Sequence, residues 1–327
     1  MPLVTVAIPT HEREGMLREA LQSVSGQTLQ DYDVLISDNS STDGTRAFLT
    51  SIADTRVKVV TQRENIGGAR NWHFVLTTPA TPYVALLEDD NLWEPDHLAR
   101  AVTALEGQPR ASFYSARTTS FGAGETRTYG PFWLSGADGC IFCAAEGLGC
   151  KVLGQNLVAA SSVVVRRACL DRIRVWGKPE MTMMDRLWWG QLALDGGFIY
   201  NSAPGARYRW HEHNWSSALA GPGRKVLRET KETTKVLANL AYERGLLDRE
   251  RLLGEVAGWP AADAAAVIVA LSAAGVHPQL RGGARELLRR RRREMRGPGI
   301  SRNAKLAAMT SPMWLLLADR VERLLRD

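Results

Sequence analysis

The sequence predicts a doubly wound α/β sheet followed by a helical C-terminal region. Three observations predict this class. Short apolar runs alternate with helical patterns, polar clusters follow directly after several of those runs, and a Gly-Pro-Gly break at 221–223 precedes an almost wholly helical remainder. Ligands of such sheets bind at the carboxyl ends of the strands, so the polar clusters mark the expected site.

The first part of the chain supplies alternating strands and helices. Strands buried on both faces of a parallel sheet read as nearly unbroken aliphatic runs, and such runs lie at 3–8, 34–37, 57–61 and 83–87. Apolar residues at helical spacing predict helices around 17–24, from 43 onward, at 66–76 and at 93–105. The regular alternation is typical of a parallel sheet with helices on both faces.

The pattern then changes twice along the chain. A glycine-rich and aromatic stretch at 117–154 predicts hairpins, after which strands at 158–166 and 198–208 flank a helix at 182–194. Beyond the break at 221–223, helices are predicted at 226–244, 248–257, 261–274, 283–296 and 311–326. These changes divide the chain into segments 1–115, 116–220 and 221–327.

The charge of the chain is divided unequally between its two parts. The 327 residues carry 41 Lys and Arg against 35 Asp and Glu, a formal net charge of +6. Residues 219–327 hold 21 of the basic and 12 of the acidic residues, net +9, which leaves the first 218 residues at net −3. Because the polar clusters lie in the acidic part, no nucleic-acid partner is needed to explain the basic sum.

The N-terminal sequence and the cysteines predict a cytoplasmic protein. The first residues lack the basic start and long apolar core of a secretory signal, and no apolar run reaches the roughly 18 residues of a membrane span. In a reducing compartment Cys140, Cys143, Cys150 and Cys169 are expected to be free thiols. A zinc site built on the Cys-x-x-Cys pair is the alternative, although the later spacings fit no tight pairing.

A first acidic cluster, at 37–45, follows the second predicted strand. Within it, Asp43 suits a helix N-cap. Asp38 comes at the carboxyl end of the strand, where a nucleotide base could donate an N–H group to its carboxylate. A turn rich in Asp, Asn and Ser that binds no ligand is the alternative.

A second acidic cluster, Glu88-Asp89-Asp90-Asn91, follows the fourth predicted strand. Its three adjacent carboxylates repel one another unless a cation compensates them. Oxygen ligands select hard cations, so Mg²⁺ or Mn²⁺ bridging a diphosphate is expected here. A solvated acidic turn is the alternative.

A glycine-containing segment, Asn65 to Asn71, opens the third predicted helix. Its glycines permit close approach of a ligand to the backbone, and Arg70 suits a phosphate or carboxylate. The segment is neither the G-x-G-x-x-G of a dinucleotide site nor a Walker-type loop, which would follow the first strand.

These motifs stand in the order and spacing of a known family. They are Val4–Thr10 with Arg13, then 38–45, 65–71 and 87–91, followed by Pro95–Leu98. Over about the first 105 residues, and more loosely as far as His211, the sequence resembles the family 2 glycosyltransferases of the GT-A fold. The resemblance implies a GT-A type doubly wound mixed sheet, with a Rossmann-like nucleotide-sugar-binding half at 1–115, an acceptor-binding half at 116–220 and helices at 221–327.

The resemblance also implies a reaction, the transfer of a sugar from a nucleotide diphosphate with inversion, assisted by Mn²⁺ or Mg²⁺. Asp38 would bind the base, Asp90 would bind the metal, and Asp89 would have a ribose-binding or secondary role. Glu88 stands where many members have Asp. The rest of the nucleotide pocket would be formed by Thr10, Arg13, Asn65, Gly67 and Arg70. Because uracil and thymine share one N–H between two carbonyls, UDP or dTDP is the preferred donor, with GDP left open.

Candidates for the remaining roles lie in the second part. Asp185 lies near the start of the helix at 182–194 and resembles the family's acidic motif, although the usual Glu-Asp pair is absent. It is the candidate general base. The alternative is a negative charge that only stabilises the helix N-terminus through the helix dipole. His211, preferred over His213, resembles the family's Arg-x-His segment and would complete metal or diphosphate binding, unless it is structural. Indoles stack on sugars, so acceptor contacts are expected among Trp188, Trp189 and Trp210, although most large aromatics lie in cores.

Two other functions compete with glycosyl transfer. A sugar nucleotidyltransferase shares the acidic metal site but needs a Gly-rich basic loop after the first strand, where Pro9-Thr10-His11-Glu12 stands. A non-catalytic carbohydrate- or nucleotide-binding module would not need Asp38, Asp90 and Asp185 together.

The basic C-terminal region predicts a further contact. Arg289–Arg293 is a run of five arginines, and 311–326 forms an amphipathic pattern with basic residues opposite its apolar face. We expect packing on the catalytic domain or in a homodimer, with peripheral attachment to the inner face of a membrane as the alternative. The acceptor is expected to be a carbohydrate, a lipid-linked compound or a small metabolite.

Overall fold

The computed structural model describes residues 1–123, 126–134, 136–154, 156–211, 214, 224–259, 264, 267–268, 270–272 and 275–296. The chain forms two compact units, one of Met1–Ala145 with Asn156–Asn214 and the other of Glu146–Gln155 with Trp215–Asp327. All candidate site residues belong to the first unit. The sequence does not predict that residues 146–155 join the C-terminal helices. The functional division of the first unit at 115/116 stays a prediction.

The first unit is built on a mixed sheet, as the sequence predicts. Its strands are β1 Val4–Thr10, β2 Tyr32–Asp38, β3 Val57–Thr61, β4 Tyr83–Leu86, β5 Leu92–Trp93, β6 Phe113–Gly122, β7 Thr128–Tyr129, β8 Cys140–Cys143, β9 Val164–Arg166 and β10 Phe198–Trp210. Their order is β3-β2-β1-β4-β9-β6-β10-β5, with β7 on β6 and β8 on β10. β1 to β4 are parallel, and β9 runs antiparallel between β4 and β6.

Helices connect the strands and build the second unit. In the first unit they are α1 Glu14–Ser25, α2 Thr45–Thr50, α3 Gly68–Thr77, α4 His97–Gly107, α6 Arg167–Leu170 and α7 Met184–Gly196. In the second unit they are α5 Lys151–Gly154, α8 Arg224–Glu243, α9 Arg249–Ala257 and α10 Pro278–Arg296. The predicted helices at 226–244, 248–257 and 283–296 are thus present, the last beginning five residues earlier at a proline, which suits the first turn.

Two predicted elements are shorter than expected, for reasons of local geometry. The helix predicted at 93–105 begins only at His97, because Leu92 and Trp93 instead form β5 and pair with Arg207 and Ala206 of β10. The strand predicted at 158–166 is reduced to β9, because a 3₁₀ turn occupies Ala160–Ser162.

The core of the first unit surrounds the central strands. Every residue of β1 is buried, in agreement with its largely aliphatic and β-branched sequence. α7 is buried on nearly all sides, from Arg186 to Leu194. A helix that is apolar around most of its circumference belongs in an interior, which explains why α7 shows little amphipathic pattern.

The register of the strands brings several carboxyl ends to one edge of the sheet. Thr10 at the end of β1 pairs with Asp38 at the end of β2. After β4, the Leu87 N–H still donates to the Ala7 carbonyl at 3.0 Å, and the chain then turns through 88–91. β10 pairs with β5 just after this turn, so its C-terminal end also arrives there.

The second unit is helical in its described part. Asp248 caps α9, since its Oδ1 accepts the Arg251 N–H at 2.8 Å, and Arg249 forms an ion pair with Glu286 of α10. The predicted helix at 261–274 is described only at scattered positions, and the one at 311–326 lies outside the described residues. Within the described ranges, no helix is both long enough and apolar enough to cross a membrane.

Candidate active site

Asp38 is a fully buried carboxylate at the end of β2. Its Oδ1 accepts the backbone N–H of Ser41 at 3.0 Å, which closes a tight turn after the strand. Its Oδ2 accepts no hydrogen bond within the described part of the chain, and the nearest cationic atom is Arg46 Nε at 3.9 Å. A buried carboxylate oxygen that accepts no hydrogen bond lowers the stability of the folded protein. Oδ2 is therefore suited to an N–H group of a ligand.

The turn before α3 is held opposite this strand end by a pair of asparagines. Asn39 donates to Asn65 Oδ1 at 2.9 Å and accepts the Ile66 N–H at 2.8 Å. Asn65 Oδ1 also accepts the Gly67 N–H at 2.9 Å. Gly67 has φ of 83°, a value that favours glycine, and α3 begins at the next residue with Arg70 exposed on it.

The acidic turn after β4 is ordered through Glu88. Glu88 Oε2 accepts hydrogen bonds from Asn91 Nδ2 at 2.8 Å and Ser161 Oγ at 2.7 Å. The backbone N–H of Glu88 donates in turn to Ser161 Oγ at 3.0 Å. Glu88 is therefore hydrogen-bonded within the protein, and Asp89 and Asp90 are the carboxylates of this turn that pair with Arg13.

Asp90 brings together residues from three elements. Its Oδ2 forms an ion pair with Arg13, which follows β1, and lies 3.1 Å from Nε2 of His211, which follows β10. Arg13 also lies 3.7 Å from Asp89 Oδ1 and 3.4 Å from His211 Nε2. The other Asp90 oxygen, Oδ1, is buried and has no hydrogen-bond partner among the described residues.

The electrostatics of the turn show an excess of negative charge. Burial, and after it the neighbouring Asp90, raises the pKa of Glu88 to about 8 and that of Asp89 to about 7. Burial disfavours the Arg13 cation, but the carboxylates of Asp89 and Asp90 outweigh that effect and raise the pKa of Arg13. The Arg13 guanidinium thus faces several carboxyl groups, an arrangement that favours a further cation.

Asp185 lies in the first turn of α7, as predicted, and is partly buried. Its Oδ1 accepts the Arg186 backbone N–H at 2.8 Å, and its Oδ2 accepts a hydrogen bond from Asn156. Burial raises the pKa of the carboxyl group. Asp185 is also close enough to Glu88 to raise the pKa of that residue, so it belongs to the same charged neighbourhood.

Comparison with known proteins identifies this arrangement. The family model described as Glycosyl transferase family 2 matches residues 5–141. These residues belong to glycosyl transferase family 2. The match contains the first three motifs of the sequence and the acidic turn, whereas Asp185 and His211 lie beyond it.

A curated relative is similar over about a third of the chain. "Succinoglycan biosynthesis protein ExoW" of Rhizobium meliloti (strain 1021) is 37% identical over 110 residues, 32% of this chain and 34% of ExoW. The chain spans only 33–41% of the length of the first curated relatives that it matches.

Solved structures of low sequence identity confirm the GT-A type fold. S. aureus TarS 1-349 in complex with UDP-GlcNAc shares 16% identity at a TM-score of 0.59, over 87% of both chains. The mannosyltransferase PcManGT from Pyrobaculum calidifontis, in complex with GDP-Man and Mn²⁺, shares 18% identity at a TM-score of 0.53, over 98% of this chain and 87% of its own.

The predicted acceptor role of two tryptophans is wrong. Trp188 and Trp189 are 1% and 0% exposed, and they pack inside the first unit. The Trp188 indole donates to the Trp176 carbonyl at 2.8 Å, and Trp189 packs on Phe113 with ring centres 5.9 Å apart. Neither ring presents a face that a sugar could reach, because α7 uses both to anchor itself in the core. Trp210 is partly exposed and keeps its predicted role.

The cysteines of both units are free thiols, as predicted. Cys140 and Cys143 lie on β8, Cys169 is buried in α6, and Cys150 belongs to the second unit. In the described ranges, no group of three or more His, Cys, Asp or Glu residues could hold a metal ion by itself. The alternative of a zinc site on the Cys-x-x-Cys pair therefore has no support there.

Three residues that organise the site were not predicted from the sequence. Asn91 and Ser161 are buried and fix Glu88, and Arg209 contacts the same turn from β10. Asn91 and Arg209 stand inside motifs that the sequence makes visible, but their partners are distant in the chain. Ser161 lies in a 3₁₀ turn with no sequence signal of its own.

Proposed function

We propose that this protein transfers a sugar from a nucleotide diphosphate donor to a hydroxyl group of an acceptor, with inversion at the anomeric carbon. The observation that supports the proposal is that Arg13, Asp89, Asp90 and His211 contact one another where β1, β4 and β10 end. Asp38 ends the neighbouring strand β2, and Asp185 is close enough to Glu88 to raise its pKa. The family match supports glycosyl transfer over a nucleotidyltransferase or a non-catalytic module.

UDP or dTDP is the proposed donor nucleotide. Asp38 Oδ2 is a buried acceptor without a donor in the described chain, and uracil and thymine each offer one N–H between two carbonyls. Thr10, Asn65, Gly67 and Arg70 would complete the pocket, and Asp89 would bind the ribose. The TarS complex contains a UDP-sugar and the PcManGT complex a GDP-sugar, so the proposal concerns preference among bases.

Mn²⁺ or Mg²⁺ is the proposed cofactor. Asp90 has one buried oxygen without a partner in the described residues, and its other oxygen lies 3.1 Å from His211 Nε2. A carboxylate beside an imidazole suits a divalent cation, with the donor diphosphate completing the set. The bound cation would stabilise the charge that develops on the departing diphosphate. Arg13 would add a positive charge at the same place.

Asp185 is the proposed general base. As the acceptor oxygen attacks the anomeric carbon, the carboxylate takes the hydroxyl proton, and the nucleoside diphosphate leaves with the electrons of the broken C–O bond. Burial raises the pKa of Asp185, which brings it closer to neutral pH and makes the carboxylate a stronger base. Asn156 and the Arg186 N–H hold the carboxylate in place.

The acceptor and the cellular setting complete the proposal. Trp210 offers a partly exposed indole whose Nε1 donates to the Tyr129 hydroxyl at 3.0 Å, a rigid surface for a sugar ring. A carbohydrate, a lipid-linked compound or a small metabolite fits such a surface. The cytoplasmic location, the homodimer and the peripheral membrane contact through the C-terminal helices stay predictions.

A panel of UDP-, dTDP- and GDP-sugars, scored for release of nucleoside diphosphate with water as acceptor, tests the proposal. We expect Mn²⁺-dependent release that is fastest for a UDP- or dTDP-sugar. Asp90→Asn should remove the metal dependence. Asp185→Asn should bind the donor normally in calorimetry but slow release at least ~100-fold, since a general base contributes about 10²–10⁴-fold.

Asp31→Asn is the matched control, because Asp31 is an exposed carboxylate at the opposite, amino end of β2. It should leave donor binding and release unchanged. Absence of release from every donor would contradict the proposed activity, and normal release by Asp185→Asn would remove that residue as base.

A further inference from the structure

Arg209, near the end of β10, is bonded to two other segments of the first unit. Its backbone N–H donates to Asn91 Oδ1 at 2.9 Å, and its side-chain Nε donates to the backbone carbonyl of Asp90 at 3.0 Å. Its terminal NH2 group forms an ion pair with Glu19 of α1 at 2.7 Å. One side chain therefore connects β10, the acidic turn and α1.

The contacts of Arg209 connect the two chain segments that carry the candidate metal ligands Asp90 and His211. Asp90 and His211 are 121 residues apart in the chain, so the 3.1 Å between their side chains depends on contacts between elements. Arg209 holds the carbonyl of Asp90 and stands two residues before His211. Asn214 fastens the same strand end, since its Oδ1 accepts the His211 N–H at 2.6 Å and its Nδ2 donates to the Arg209 carbonyl at 2.9 Å.

The contacts of Arg209 with Asn91 and Asp90 are buried, whereas the Glu19 side chain is 53% exposed and its ion pair contributes less. Asn91 is fully buried, and the Arg209 side chain is 17% exposed. A guanidinium is planar, so directing Nε to the Asp90 carbonyl and NH2 to Glu19 fixes the orientation of the whole group. Hydrogen bonds from a charged donor are about twice as strong as neutral ones.

We propose that Arg209 is a positioning residue that holds Asp90 and His211 at the separation required to bind one divalent cation. In this role it touches neither the cation nor the substrate. The inference rests on the proposed function, in which Asp90 and His211 hold Mn²⁺ or Mg²⁺ together. Residues that orient metal ligands from outside typically change metal affinity by about 10–100-fold.

Arg207 offers a matched control on the same strand. Its guanidinium lies 4.6 Å from the centre of the Phe121 ring, the same distance as that of Arg209. Arg207 is exposed, and in the described part of the chain none of its contacts reaches Asp90, Asn91 or Glu19. Arg207→Ala therefore removes the same positive charge and the same kind of ring contact as Arg209→Ala. It keeps the bonds that connect Arg209 to the acidic turn.

Calorimetric titration of the full chain with Mn²⁺, alone and in the presence of UDP, tests the proposal. We expect Arg209→Ala to weaken Mn²⁺ binding at least ~10-fold and Arg207→Ala to change it less than about twofold. Arg209→Lys keeps the charge but not the planar fork, so it should also bind Mn²⁺ more weakly. If Arg209→Ala does not fold, Mn²⁺ binding by Arg209→Lys tests the positioning role. Unchanged binding in both Arg209 variants, or an equal loss in Arg207→Ala, would overturn the proposal.

Crystal structures of the metal-free variants make the test independent of the metal assignment. The distance from His211 Nε2 to Asp90 Oδ2 should stay near 3.1 Å in Arg207→Ala and increase in the Arg209 variants. Should the unaltered protein bind no Mn²⁺, the metal role in the proposed function fails, while these distances still decide whether Arg209 sets the separation. An unchanged distance in the Arg209 variants would overturn the positioning role.

Discussion

Two buried carboxylate oxygens distinguish the site at the scale of single residues. Asp38 Oδ2 and Asp90 Oδ1 are buried and have no hydrogen-bond partner in the described chain. A buried acceptor left without a donor costs about 1–3 kcal/mol. The two oxygens differ in surroundings, because Asp90 forms an ion pair with Arg13 and contacts His211, whereas the nearest cationic atom to Asp38 Oδ2 is Nε of Arg46 at 3.9 Å, on an exposed side chain. We therefore assign a neutral donor to Asp38 and a cation to Asp90.

Substitution Asp38→Asn should weaken UDP binding by about tenfold or more, a loss of ~1–3 kcal/mol. Asp38 Oδ1 faces the Ser41 N–H, and Oδ2 would face the base N–H. An amide has only one oxygen, so either orientation of the introduced side chain sets its NH2 group against a donor. Isothermal calorimetry with UDP measures the effect.

Asp43→Asn is the control for this prediction. Asp43 lies in the same loop, and its Oδ1 accepts the Thr45 N–H at 3.0 Å, a bond that an asparagine can also accept. UDP affinity should therefore stay within about twofold of the unaltered protein. Equal losses in the two variants would show that loop order, and not the Asp38 carboxylate, governs nucleotide binding.

At the scale of elements, the turn before α3 is shaped by one glycine. Gly67 has φ of 83° and ψ of 151°, a region essentially restricted to glycine, and α3 starts directly after it. The Asn39 and Asn65 side chains accept the backbone N–H groups of Ile66 and of Gly67 itself. The position of Asn65 beside the strand ends thus depends on a backbone conformation that other residues adopt only with strain.

Gly67→Ala should lower the free energy of unfolding by about 1–3 kcal/mol, the cost of placing a side chain in this region. Space is not the cause, because an added Cβ would meet only the Pro179 carbonyl oxygen at 4.0 Å. UDP binding should weaken as well, since relief of the strain would move Asn65. Urea unfolding and calorimetry measure the two effects.

Gly15→Ala provides the contrasting variant for this element. Gly15 lies in the first turn of α1, and a Cβ there would meet nothing within 4 Å. Alanine is favoured over glycine in a helix by about 1 kcal/mol, so this variant should be as stable as the unaltered protein or more stable. A Gly67→Ala variant of full stability would contradict the strain at Gly67.

At the scale of the whole molecule, the sequence predicts the sheet and most of the site because both depend on local signals. Apolar runs end at polar residues, and parallel strands bring those ends together, which places Asp38 at the same edge as the turn at 88–91. Contacts between distant residues leave no such signal. Ser161 bonding Glu88, and Arg209 bonding Asp90, depend on a tertiary arrangement that composition and periodicity do not encode.

Burial explains the remaining error. The sequence predicts Trp188 and Trp189 at the acceptor site because they stand three and four residues after Asp185, on the same side of the helix, yet α7 is buried on nearly all sides beyond its first turn. α7 presents Asp185 towards Glu88 and packs both indoles into the core. Proximity in sequence within a buried helix therefore does not predict a shared site.

The excess of carboxyl groups makes the stability of the whole first unit dependent on pH. The folded-state pKa values of Glu88 and Asp89, about 8 and about 7, lie above the ~4 of an unfolded chain. The folded protein therefore holds more protons than the unfolded chain between these values. The associated stability is fully present below about pH 4 and is lost as the pH rises through about 7 to 8.

Urea unfolding of the metal-free protein at about pH 5, 6, 7 and 8 should accordingly show a falling free energy of unfolding, with a slope on the order of 1 kcal/mol per pH unit. Glu88→Gln keeps an acceptor for Asn91 and Ser161 but cannot ionise, so its slope should be smaller. Glu64→Gln, at an exposed position, should leave the slope unchanged. Added Mn²⁺ should restore stability at about pH 8, because a cation that binds the ionised turn stabilises the folded state. A free energy of unfolding that stays constant or rises over this range would contradict the raised pKa values of Glu88 and Asp89.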